Sequence, residues 1–128
     1  MLTPLYGLSQ TSIDTCRLEG KLFIKKDMNG EYLYHIDWKP CSYLAIINMN
    51  QTSITLIRNS EKSIYTIQSY NKPVQDEKQN LILKFICKDD HDIKCGVVLI
   101  TLADPIDDYQ NMIKIEYNNI TLVYRYKD

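Results

Sequence analysis

The sequence predicts an all-β domain: a single antiparallel β-sandwich of about eight or nine strands over residues 1–128, with a closed β-barrel as the alternative. Three observations carry this. Polar and apolar residues alternate with period two from about residue 17 to the end, no window of about eleven residues holds an apolar stripe at the helical period, and turn-forming residues recur every eight to twelve positions or so. At 128 residues, 45% hydrophobic and 24% charged, the chain has the composition of one globular domain rather than a disordered or fibrous one.

Residues 18–26 set Leu22 and Ile24 against Lys21 and Lys25, and Asp27-Met28-Asn29-Gly30 follows with an Asn-Gly pair suited to a hairpin turn. The returning strand, residues 31–39, places Tyr32, Tyr34, Ile36 and Trp38 on one face, and Pro40 is expected to end it. Residues 42–49, 53–58 and 63–70 supply three further strands rich in Ile, Thr, Tyr and Leu. The polar segment 71–79 reads as an exposed loop. Residues 80–88 and 95–102 form a second hairpin. In Asp104-Pro105-Ile106-Asp107-Asp108-Tyr109, a capping Asp, a first-turn Pro and early acids predict one short helical turn near residues 104–110. Residues 112–117 and 120–126 close the chain as a hairpin around Asn118-Asn119, residues tolerant of left-handed backbone angles. The expected core is Leu22, Ile24, Ile36, Trp38, Ile47, Leu56, Leu83, Phe85, Val97, Leu99, Ile115 and Leu122, and residues 1–16 form an N-terminal arm.

Charge is balanced, with 15 Lys and Arg against 16 Asp and Glu, so the clustered cations of a nucleic-acid surface are missing and nucleic acid is disfavoured as a partner. The aromatic residues Tyr32, Tyr34, Trp38, Tyr124 and Tyr126 leave a single-stranded nucleic-acid barrel as a third reading, weakened by the lack of a basic track. No apolar run approaches the roughly 20 residues of a transmembrane helix. Residues 1–16 lack a basic segment followed by an apolar run, so no secretory signal peptide and an intracellular location are expected. On that basis Cys16, Cys41, Cys87 and Cys95 are expected as reduced thiols, and Asn50-Gln51-Thr52 and Asn119-Ile120-Thr121 as turn residues rather than glycosylation sites.

Cys87, His91 and Cys95 form the one cluster with ligand-like residue types, thiolates and an imidazole being what zinc prefers. A fourth ligand is not evident. The plainer reading makes Cys87 a small buried hydrophobe, Cys95 the first residue of the next strand and Asp89-Asp90-His91-Asp92 a solvated turn. The carboxylates Asp89, Asp90, Asp92, Asp104, Asp107 and Asp108 could gather at one end and hold calcium, but no EF-hand pattern is present, and calcium-dependent membrane binding is disfavoured. Catalytic motifs are lacking, and the one conceivable base–orienter pair is His35 with Asp37, one pleat apart. The chain is therefore read as no enzyme and as having no cofactor.

A non-enzymatic protein–protein interaction or structural module remains, in which the chain binds another protein or itself. Ten Tyr against two Phe and one Trp suit a contact surface, because Tyr combines a wide ring with a hydroxyl. Tyr124 and Tyr126 on a final strand lying at a sheet edge are the expected anchors, with Arg125 and Lys127 as the charges that would instead protect it. Residues 43–47 and 97–100 are apolar on both faces. That makes Ile46 and Val98 further interface candidates, unless residues 2–13 cover them. A small-ligand or metal-binding barrel is the alternative function.

Overall fold

A computed structural model describes residues 13–127. They form nine strands: β1 (Ile13–Lys26), β2 (Tyr32–Asn48), β3 (Ser53–Arg58), β4 (Glu61–Tyr70), β5 (Val74–Gln75), β6 (Leu81–Lys88), β7 (Lys94–Ile106), β8 (Tyr109–Glu116) and β9 (Ile120–Tyr126). All pairings are antiparallel, in the order β4-β3-β2-β1-β9-β8-β7-β6-β5. A further pairing of β4 with β6 closes the sheet in a ring, with β5 outside the closure. The all-β expectation holds, and β9 lies between β1 and β8 rather than at an edge.

Alternation fills the interior. Leu18, Ile47, Leu56, Leu83, Phe85, Val97, Leu99 and Ile115 are buried there, as are Cys16, Tyr65, Tyr124 and Tyr126. Of the expected core, Leu122 packs against this cluster, whereas Leu22, Ile24 and Trp38 are only half-buried and Ile36 is exposed. Bulges explain the difference. Leu18 pairs with Tyr43 and Gly20 with Pro40; Lys21 pairs with Lys39 and Phe23 with Ile36, so β2 carries an extra residue at each place. The second bulge puts Trp38 and Ile36 on opposite faces.

Pro40 does not end a strand. It sits at the first bulge, where β2 has no partner on its other side among the described residues, so its missing N–H breaks no ladder bond there and residues 31–39 and 42–49 become one strand of 17 residues. Segment 71–79 contains β5, an unforeseen strand, so the merged strand and the added one leave the count at nine. Nor is there a helical turn near residues 104–110. Asp107 and Asp108 both take left-handed angles (φ 52° and 68°), the geometry of a two-residue hairpin turn, and β7 passes directly into β8 with Ile106 opposite Tyr109. Asp104-Pro105 is strand instead of cap.

Three other loops share one construction. Asp27, Asp76 and Asp89 each accept, on Oδ1, the N–H groups two and four residues ahead: Asn29 and Glu31, Lys78 and Asn80, His91 and Ile93, all at 2.8–2.9 Å. The fourth loop residue, Gly30, Gln79 or Asp92, carries the positive φ of 83°, 68° or 63°. In the first loop Gly30 alone is left-handed, so Asn29-Gly30 does not act as a paired unit, and neither Asn118 nor Asn119 has positive φ. The N-terminal arm falls outside the described residues up to residue 12, and Ile13 to Cys16 belong to β1.

Candidate functional site: the opening between β2 and β3

β2 and β3 part company early. β2 has 17 residues and β3 has 6, and their ladder covers only Leu44↔Ile57 to Asn48↔Ser53. Among the described residues, positions 32–43 of β2 are paired to β1 alone, leaving the backbone on the β3 side unpaired. A half-open cavity of ≈ 330 Å³ lies at this parting. Phe23, Ile36 and Leu122 give it an apolar wall, and the rings of Tyr43 and Tyr124 meet edge-on at 6.0 Å beside it.

Three cations line the same cavity. Lys21 donates to the Tyr43 hydroxyl at 2.8 Å, and Arg58, the last residue of β3, donates from Nη2 to Ser63 Oγ at 2.8 Å. The Arg58 Nε is buried and has no hydrogen-bond partner among the described residues. Lys39 is exposed on the rim, and the one carboxylate there is Asp37, whose Oδ1 accepts the N–H of Trp38. None of these four forms an ion pair within 4.0 Å among the described residues. Burial pushes the Tyr124 hydroxyl up to about 12, with the nearby Arg58 charge pulling the other way.

Beyond the cavity, whose Ile36 is 44% exposed, the rest of β2 carries exposed apolar side chains next to the unpaired edge: Tyr32 at 59%, Leu33 at 53% and Tyr34 at 52%. His35 contacts the Tyr32 hydroxyl through Nδ1 rather than Asp37, so the conceivable base–orienter pair is not formed.

The anchors expected on the last strand lie elsewhere. Tyr124 and Tyr126 are 3% and 1% exposed, turned inward because β9 is an inner strand of the ring. Val98, at 7%, is flanked on its own face by Lys84 and Lys114 of the adjoining strands. Ile46, half-buried, pairs with Thr15 and Thr55. Cover of these outer faces by residues 2–13 lies outside the described residues.

Cys87 and Cys95 face each other across β6 and β7 inside the core, while His91 stands exposed on the loop. All four cysteines are free thiols. Burial pushes the thiols of Cys16 and Cys87 up to about 12, which leaves them protonated at neutral pH. Asp89, Asp90 and His91 bring ligand atoms within 4.8 Å of one another, but Asp89 is already committed to the turn described above and to the Tyr117 hydroxyl at 2.8 Å. Desolvation raises the Asp89 carboxyl, but the N–H of Ile93, the Tyr117 hydroxyl, the N–H of His91 and the His91 ring outweigh it and hold the carboxyl below its ordinary value. A lowered native value means that ionised Asp89 stabilises the fold above the unfolded carboxyl pKa of about 3.9 and that this contribution disappears as pH falls through the native value. Thermal melts should therefore show a constant deficit for Asp89→Asn between about pH 5 and 8, narrowing below about pH 4. A deficit that widens in acid would contradict the assignment.

Among the described residues no helix is long and apolar enough to cross a membrane. Comparison with protein-family models, curated proteins and solved structures finds no match to this chain.

Proposed function

We propose that this chain is a non-enzymatic protein-interaction module that takes an extended segment of another protein onto the unpaired edge of β2. The observation that supports the reading is the run 32–43, laddered on one side only among the described residues and exposing Tyr32, Leu33 and Tyr34. Unpaired N–H and C=O groups accept a further strand, and large apolar side chains beside them supply anchors. Residues 13–19 of β1 also have no β9 partner among the described residues, but Cys16 and Leu18 there are buried, whereas the β2 run carries exposed apolar side chains.

Charge selects the occupant. Lys25 and Lys26 lie on the neighbouring strand, and Lys39 and Arg58 stand at the cavity, so a segment mixing apolar with acidic residues complements the site.

Tyr32 and Leu33 are exposed and lie outside the cavity lining, which makes them suitable probes. Tyr32→Ser with Leu33→Ser should weaken binding of a co-purified partner by about ten-fold or more, one anchor being worth about 1 kcal/mol or more, with unchanged melting of the free chain. Equal binding by the double variant overturns the reading. Light scattering that shows a dimer broken by the same substitutions overturns the choice of occupant.

A further inference from the structure

We propose that the cavity between β2 and β3 is a binding site for a small amphiphilic anion, an apolar or aromatic body carrying one carboxylate or phosphate head. This goes beyond the docking edge and does not depend on it. The cavity measures ≈ 330 Å³, within the size range of small-molecule sites, and combines an apolar wall with a few convergent polar groups as such sites do.

The polar groups have one sign. Lys21, Lys39 and Arg58 converge against the single carboxylate of Asp37, without an ion pair within 4.0 Å among the described residues. Lys21 uses one of its three donors on Tyr43, leaving two to serve an incoming oxygen. Arg58, whose Nη2 is held by Ser63 Oγ, brings a fixed guanidinium charge to the lining. Phe23, Ile36 and Leu122, with the crossed rings of Tyr43 and Tyr124, offer the surface against which an apolar body packs. Since the cations surround one cavity instead of running as a track, they suit one head group better than a polyanion.

Isothermal titration of the full chain with 2-naphthoate, 1-naphthyl phosphate and the neutral 2-naphthamide tests the assignment. At least one of the anions should bind one-to-one and about ten-fold or more tighter than the amide. Binding by naphthoate alone assigns a carboxylate head, by the phosphate alone a phosphate head, and by both a site that reads charge. Lys39→Gln and Arg58→Gln should each weaken binding several-fold, while Lys72→Gln, on an exposed loop away from the cavity, should not. Arg58→Gln also loses the contact to Ser63, so Lys39→Gln, an exposed rim residue, keeps the test valid if the former fails to fold. No binding of either anion at about 1 mM, equal binding of the amide, or wild-type binding by Lys39→Gln overturns the proposal. The Tyr32→Ser, Leu33→Ser double variant should retain the anion, which separates failure of this site from failure of the docking edge.

Discussion

Tyr126→Ala should destabilise the domain by about 3–5 kcal/mol, the usual loss when a fully buried aromatic ring is cut back to a methyl group. The ring is 1% exposed, and its hydroxyl is hydrogen-bonded to the thiol of Cys16, so truncation opens a cavity between β1 and β9 and removes a buried bond. Tyr126→Phe separates the two effects, losing only the hydroxyl at about 0.5–1.5 kcal/mol. Urea melts of both variants give the comparison. A loss below about 1 kcal/mol for Tyr126→Ala would place the ring at the surface, where a docking role for the last strand would regain its footing.

Gly20→Val should cost about 1–3 kcal/mol through overpacking on the other side of the same pair of strands. Gly20 pairs with Arg125, whose guanidinium lies 4.3 Å from the ring centre of Trp38 and 4.4 Å from that of Tyr109. A Cβ at position 20 would come within 2.7 Å of Arg125 Nε and 3.0 Å of its Cγ. The arginine must then leave, and each stacked ring it leaves forfeits about 0.5–2 kcal/mol at this largely buried side chain. In an Arg125→Ala background the same valine should be far less harmful, because the obstructing side chain is gone; a double-mutant cycle reads this coupling directly. Additive losses would show that the close approach is not what position 20 serves.

Alternation was enough to recover most strands and much of the interior, because Phe85, Val97, Leu99 and Ile115 sit in regular stretches where period two maps directly onto inside and outside. It failed where the backbone adds a residue. Trp38 and Ile36 belong to one face by counting and to opposite faces in the fold, since a bulge between them shifts the register. Pro40 misled for a related reason: its effect depends on whether a neighbour needs its N–H, which is a property of strand order. Asp107-Asp108 resembles a helix start as closely as a left-handed turn, and only the pairing of Ile106 with Tyr109 separates the two.

The candidate site was less accessible still. Tyr32, Leu33, Tyr34 and Ile36 are ordinary strand residues in sequence, and Arg58 is an ordinary strand terminus. Their importance arises from the length mismatch of β2 and β3, which strand patterning does not contain until the neighbours are known. One signal was present: residues 31–39 are apolar on both sides at Leu33 and Tyr34, as much in need of cover as Ile46 or Val98.

Backbone hydrogen exchange along β2 tests the central claim most directly, because it asks whether the edge is open and whether a partner closes it. In the free chain, amides of residues 44–48, laddered to β1 or β3, should all exchange slowly. Within residues 32–43 slow exchange should be confined to amides bonded to β1, with the others fast. Addition of the partner should slow those fast amides and leave residues 44–48 unchanged. Uniformly slow exchange across residues 32–43 in the monomeric free chain, or fast amides that stay fast in the complex, would contradict the account.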